Sequence, residues 1–200
     1  MPSRERKIEV KRDTEETSIR LKINLDGAGR ALVDTGIKFL DHILGAFTKH
    51  GLFDLEVLAR QRKAVDEHHV VEDVGICLGK AVDLAIGNKR GIKRFGYAII
   101  PMDDALALVA LDLCGRSYFL SNFRFKRKDV GDLPTDLVKH FLQSMASNGR
   151  FVMHAYIIRG EDDHHKAEAL FKALGVALHN ATTIDERLRD RVSSQKGALD

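Results

Sequence analysis

The sequence predicts an α+β fold that is internally duplicated. Each half carries a roughly four-stranded mixed sheet and two helices, with the helices packed between the two sheets. Three observations predict this. A histidine pair followed by a glutamate occurs twice, as His68, His69, Glu72 and as His164, His165, Glu168. The surroundings repeat as well. Leu78, Gly79 and Ala81 return 96 positions later as Leu174, Gly175 and Ala177, and Leu40, His42, Ile43, Leu44, Phe47 return 98 positions later as Val138, His140, Phe141, Leu142, Met145. Self-similarity at a fixed period marks an internal duplication. Third, each half reads as strands, helix, strand, helix, and helices that follow runs of strands collect on one face of a sheet.

The elements follow in order. Residues 7–12 and 18–25 alternate polar and apolar, with Ile8 and Val10, then Ile19, Leu21, Ile23 and Leu25, on one face, which is the period of a half-buried strand. Asp26 and Gly27 supply a turn into a short strand at 31–33. Apolar residues at 40, 43, 44 and 47 have helical spacing and predict a helix over 36–49, with Gly51 as its C-cap. Strands are expected at 52–59 and 63–65. A long helix is expected from Asp66 to Ile86, opened by acids that suit its positive end and closed near Gly87. The second half predicts strands at 96–101, 105–113 and 117–124, a helix at 135–147, a strand at 151–158 and a helix at 163–181. Asp103 and Asp104, just after Pro101, predict a turn. The halves are set at 1–93 and 94–183. Residues 184–200, with Arg187, Arg189 and Arg191, read as a charged, solvated tail.

Composition narrows the function classes. At 44% hydrophobic and 30% charged residues the chain is an ordinary globular protein. A net charge of +3, with no basic stripe interleaved with aromatics, argues against nucleic acid as a partner. No run approaches the roughly 18 apolar residues of a membrane span, and the start MPSRERK has no hydrophobic signal region. No membrane partner is therefore expected, and the cytoplasm is the expected location. Cys77 and Cys114 read as buried reduced thiols rather than a disulfide framework.

In each copy of the motif the first His and the Glu are four apart and the second His and the Glu three apart. On a helix all three side chains cluster around one face. Imidazole and carboxylate suit Zn, Mn, Fe or Ni. A lone histidine is more often structural than a ligand, but here two clusters come with two matched lone histidines. His42, His68, His69, Glu72, His140, His164, His165 and Glu168 would give each of two metals three imidazoles and one carboxylate, with positions open to substrate or water. Adjacent helical side chains diverge by about 100°, so the two members of each pair are expected to serve different metals. The expected sets are His68, Glu72, His140, His164 and His42, His69, His165, Glu168. Such a centre suits a dimetal hydrolase or a metal-stabilised, non-catalytic scaffold as well as other chemistry. Taken singly, Arg94 and Arg116 read as surface charge, Lys196 as a tail lysine and Glu16 as a strand-surface acid.

Longer segments decide among these readings. They are RDTEET (12–17), LDGAG (25–29), DTGIKFLDHIL (34–44), KHGLFDL (49–55), DEHHVVEDVGICLGKA (66–81), GIKRFG (91–96), PMDDALA (101–107), LDLCGR (111–116), DHHKAEALFKA (163–173) and SSQKG (193–197). Through them, from residue 6 to about 197, the chain resembles the imidazoleglycerol-phosphate dehydratases of histidine biosynthesis. The resemblance implies a metal-dependent hydro-lyase that dehydrates D-erythro-imidazole glycerol phosphate to imidazole acetol phosphate, with two Mn2+ per active site held by the eight residues above. It implies a phosphate pocket of Arg94, Arg116, Ser194 and Lys196. Glu16 and His50 would join His42, His68, His69 and Glu72 at the substrate. Glu16 is the candidate for proton transfer, with Glu72 and Glu168 as further catalytic carboxylates.

The chemistry explains the ligands. The carbon that loses its proton has no neighbouring carbonyl, so the substrate's imidazole must act as the electron reservoir that expels the hydroxyl. Metal at a ring nitrogen favours that electron release. The resemblance also implies a homo-oligomeric cage of about 24 subunits, with sites at subunit contacts and Lys196 completing a neighbour's pocket. The chain departs from its relatives at Gln61, Arg62 and Lys63, where they have Gly-Asp-Leu, and at Asp104, Cys114, Ser117, Asp162 and Gln195. No ligand position is lost. A convergent phosphate pocket also argues against the scaffold reading, which has no use for one.

Overall fold

Strand β1 (Lys7–Asp13) pairs antiparallel with β2 (Thr17–Asn24), and the predicted alternation holds. Ile19, Leu21 and Ile23 face the core, while Lys7, Glu9, Lys11 and Arg20 face outward. A computed structural model describes residues 6–63, 66–188, 191–197 and 199. After β3 (Ala31–Asp34) and helix α1 (Lys38–Gly51), β4 (Asp54–Gln61) inserts between β2 and β3, antiparallel to the first and parallel to the second. The mixed sheet has the order β1-β2-β4-β3. Helix α2 (His68–Ile86) closes the first half.

The second half repeats the path. Strands β5 (Phe95–Met102), β6 (Ala105–Asp112) and β7 (Tyr118–Ser121) come first. A two-strand ribbon, β8 (Asp129–Val130) with β9 (Leu133–Pro134), leads into α3 (Thr135–Gly149). Strand β10 (Val152–Arg159) and helix α4 (Asp163–Thr182) complete the half, whose sheet order β5-β6-β10-β7 matches the first, again with one parallel pair. Helix α2 lies on β1 and β2, α4 lies on β5 and β6, and the helices pair as α1 with α4 and α2 with α3. The four helices therefore fill the space between the two sheets, each pair joining one helix from each half.

Four glycines set how closely the pairs approach. A Cβ at Gly175 would lie 2.3 Å from the Phe47 carbonyl oxygen and 3.0 Å from the Gly51 nitrogen. One at Gly79 would lie 2.3 Å from the Met145 carbonyl oxygen and 2.8 Å from the Gly149 nitrogen. Backbone meets backbone at both crossings, which is why the repeat keeps glycine there. Phe47 against Phe53 and Phe141 against Phe171, both at 5.4 Å, pack around these crossings with no exposure. Burying such a side chain contributes about 1.5–3 kcal/mol.

Several boundaries differ from expectation. Leu52, not Gly51, takes the left-handed cap of α1 (φ 56°); Gly51 is the last helical residue and is needed for close approach. Helix α2 begins at His68 rather than Asp66, and the Asp66 carboxylate accepts the His68 N–H at 3.0 Å from in front of the helix. No strand forms at 62–63, and residues 64 and 65 of the expected strand lie outside the described residues. Strand β7 stops at Ser121, and the β8–β9 ribbon was not foreseen because two-residue strands carry no periodicity. The segment after α4 is docked rather than loose. Ile184 bridges to Ile92, Asp185 N–H donates to the Gly91 carbonyl, and Gly91 N–H donates to the Arg191 carbonyl. Arg189 lies outside the described residues. No helix among the described residues is long and apolar enough to cross a membrane.

Candidate metal centres and substrate site

Two groups of potential ligands form, one on each helix pair. On α1 and α4, His42, His164 and Glu168 place one ligand atom each within 4.8 Å of the others. The Nε2 atoms of His42 and His164 both stand 3.2 Å from Glu168 Oε2. On α2 and α3, His68, Glu72 and His140 do the same. Here His140 Nε2 is 3.5 Å from Glu72 Oε1 and the His68 and His140 rings are 4.5 Å apart. Each group takes its lone histidine from one half and its His/Glu pair from the other. The i, i+4 spacing of the helix brings the first His of the motif and its Glu together, and the glycine crossings bring the partner helix close enough for the third ligand.

The expected sets need correction on this point. His164 belongs with His42 and Glu168, not with His68, Glu72 and His140, because the turn that joins it to Glu168 carries it toward α1. His69 and His165 join neither group. They point the other way, as a step of about 100° requires. His69 Nδ1 lies 3.2 Å from Glu16 Oε2, and His165 Nδ1 lies 2.7 Å from Asp104 Oδ1, with Nε2 3.3 Å from Asp103 Oδ2. The Asp103–Asp104 turn forms as expected, but its grip on His165 is a contact that spacing could not reveal.

Electrostatics support ligand chemistry. Burial pushes the Glu168 carboxyl up, but Lys172 and then His42 outweigh it and hold the pKa down at about 2. Glu168 is therefore an anion at any working pH. Lys172, which sequence reasoning missed, places Nζ 2.8 Å from Glu168 Oε1 and donates to Met102 Sδ. Its only sequence signal was the i, i+4 offset from Glu168. His165 titrates above the ordinary imidazole value, chiefly through its bond to Asp104. His50, in the last turn of α1, titrates below that value because of burial and then Lys172.

The donor sets fit a divalent transition metal. Each offers two imidazoles and a carboxylate on one side, with room for further ligands. In the second group the buried His140 Nε2 has no hydrogen-bond partner among the described residues. An orphaned ring nitrogen aimed at two other ligands is what a metal site looks like before loading. An open hollow of about 260 Å³ lined by His68, Asp136, Lys139 and His140 borders this group.

The expected phosphate residues are only partly assembled. Arg94, held at φ 73°, borders an open depression of about 510 Å³ together with Arg191, Ser193, Ser194 and Gln195. Its guanidinium donates to both oxygens of Asp112 (2.7 and 3.0 Å) and to the Ser193 carbonyl (2.7 Å). Lys196 is exposed beside Ser194, its N–H donating to Ser194 Oγ. Arg116 is exposed after β6, and no contact among the described residues joins it to Arg94 or Lys196. Of the departures from the resembled pattern, Arg62 has a clear role. Its N–H donates to the Glu16 carbonyl at 2.7 Å and its guanidinium grips Thr14 and Asp13, so it clamps the turn that presents Glu16.

Comparison with known proteins places this arrangement. The family model for imidazoleglycerol-phosphate dehydratase matches residues 35–178. The imidazoleglycerol-phosphate dehydratase of Methanocaldococcus jannaschii is 58% identical over 191 residues, covering 96% of this chain and 94% of its own. That of Roseiflexus sp. is 52% identical over 199 residues, covering all of both. Among solved structures, imidazoleglycerol-phosphate dehydratase from Staphylococcus aureus superposes with a TM-score of 0.80 at 34% identity, over 90% of this chain and 99% of that one. The Pyrococcus furiosus structure in complex with (S)-C348 gives 0.82 at 37% identity, over 95% and 100%.

Proposed function

The chain belongs to the imidazoleglycerol-phosphate dehydratase family of histidine biosynthesis, and from that premise we propose that it dehydrates imidazole glycerol phosphate to imidazole acetol phosphate at a centre of two manganese ions. The observation that carries the metal reading is the pair of His, His, Glu groups, one on each crossed helix pair. Bound metal supplies Lewis acidity at a ring nitrogen of the substrate. Glu16, on the turn between β1 and β2, takes the proton from the carbon next to the one that loses hydroxide. The hydroxyl leaves as water with the proton of the substrate's imidazole N–H, Glu16 returns the proton it took to the ring, and the resulting enol becomes the ketone. Glu72 and Glu168 steady the ligand groups as further catalytic carboxylates. Arg94, Arg116, Ser194 and Lys196 hold the phosphate, with Arg94 exchanging part of its bond to Asp112 for the substrate. His50 lines the same site, beside Lys172.

Each group has three candidate ligands, so of the eight expected residues His69 and His165 are left over. We assign them as the fourth ligands of sites on neighbouring copies, which makes the working enzyme a homo-oligomer, a cage of about 24 subunits in the cytoplasm. The sheet surfaces support assembly. The outer face of the second sheet exposes Phe95, Tyr97, Ile99, Tyr118, Leu120 and Ile158, whereas the outer face of the first is mostly charged. A contiguous apolar face of this kind marks a surface covered by protein.

The test is direct. Imidazole acetol phosphate formation is measured before chelation, after chelation and after Mn2+ is restored. Loss and recovery are expected, and a protein inactive in every condition overturns the assignment.

A further inference from the structure

We propose that Asp104 is a positioning residue, which takes the Nδ1 proton of His165 in a hydrogen bond and thereby fixes the direction and tautomer in which His165 offers Nε2 to a metal. The proposal rests on the ligand role assigned to His165 above. Its basis is a correspondence between the two halves that the histidine motif alone does not show. Glu16 is the residue just before β2, and Asp104 is the residue just before β6, the equivalent strand. Each sends a carboxylate to Nδ1 of the second histidine of its own half's pair, at 3.2 Å for His69 and 2.7 Å for His165. The first histidine of each pair has its Nε2 near the motif glutamate instead.

The Asp104 carboxylate is not free to swivel. Its other oxygen accepts the backbone N–H groups of Glu161 and Asp162, at 2.5 and 3.1 Å, where the chain enters α4. With one oxygen engaged by two backbone N–H donors, the carboxylate meets His165 as an acceptor through the other. An ionised carboxylate only accepts hydrogen bonds, so Nδ1 must carry the proton and the lone pair of the neutral ring must sit on Nε2. A carboxylate behind a ligating imidazole fixes the ring and raises its basicity. Asp103 stands on the other side, 3.3 Å from Nε2, on an exposed residue in the left-handed region (φ 46°). It occupies the direction from which metal would approach, so it competes with metal where Asp104 assists it.

These opposite roles make the test discriminating. In Asp104→Asn one amide oxygen is needed by the Glu161 and Asp162 N–H groups, which turns the amide NH2 toward His165. A donor at Nδ1 selects the tautomer with the proton on Nε2, which cannot ligate. The full-length protein is stripped of metal and titrated with Mn2+, with free aquo-ion counted by electron paramagnetic resonance and folding followed by circular dichroism. One of the two ions per chain is expected to bind about 10–100-fold more weakly in Asp104→Asn, with Asp104→Glu close to the parent. Asp103→Asn is expected to bind at least as tightly as the parent. Two strong ions in Asp104→Asn overturn the positioning role while leaving the metal reading intact; a parent that binds no manganese overturns both. If Asp104→Asn does not fold, Asp103→Asn still decides, since a loss of tenfold or so there contradicts the opposed roles.

Discussion

Gly175→Ala tests the link between helix packing and the metal groups. The new Cβ would sit 2.3 Å from the Phe47 carbonyl oxygen and 3.0 Å from the Gly51 nitrogen, both backbone atoms that cannot rotate aside. Ordinary contact begins near 3.4 Å, so α1 and α4 must separate by roughly 1 Å. Overpacking of this kind costs about 1–3 kcal/mol, and the better helix propensity of alanine returns up to about 1 kcal/mol. The net loss is about 1–2 kcal/mol, a fall in Tm of roughly 2–8 °C for a domain of this size. The same displacement spreads His42 from His164 and Glu168, so the α1–α4 centre is expected to bind metal more weakly while the α2–α3 centre is spared. Gly45→Ala is the control on α1. Nothing lies within 4 Å of its Cβ position, so the propensity gain stands alone and Tm is expected to rise. Scanning calorimetry with metal counting reads both variants. A Gly175→Ala protein that melts at or above the parent, with both centres intact, would refute the close-approach argument.

Single ligand variants give a second check. His42→Ala and His140→Ala each remove one member of one group, so each is expected to lose one bound ion and the double variant both; one substitution that empties both centres equally would sink the two-group arrangement. The thiol of Cys77 is pushed up to about 11 by burial, with Asp73 adding to the effect. At pH 8 its thiolate fraction is about a thousandth, so in a Cys114→Ser background alkylation is expected to track global unfolding measured in parallel denaturant series. Rapid labelling of the folded protein would show that α2 opens locally.

The two halves, their order of elements and the six residues of the two candidate ligand groups were legible in the sequence because each leaves a periodic or repeated trace. The HHxxE spacing is a helical-face pattern, and Gly79 and Gly175 mark their crossings by recurring at the same offset. The grouping of ligands was not legible. The side-chain step of about 100° showed that His164 and His165 diverge, but not which of them turns toward α1; that depends on how α4 lies against its partner. Lys172 reads as an ordinary helical lysine until Glu168 and Met102 are seen around it. The docking of Thr183, Ile184, Asp185 and Arg191 along 91–93 was hidden for the same reason, since backbone bonds between distant segments have no sequence signature.

By itself, then, the sequence determined the fold class, the duplication, the family and the residue types of two candidate ligand groups, because local periodicity and repetition are written along one dimension. Tertiary structure alone decided which histidine meets which glutamate, and it turned His69 and His165 toward Glu16 and Asp104. Those outcomes rest on the angle and closeness of helix crossings set by four glycines, and on the hairpin turns that each sheet brings beside its helix. They are distances between segments remote in sequence, and only packing fixes them.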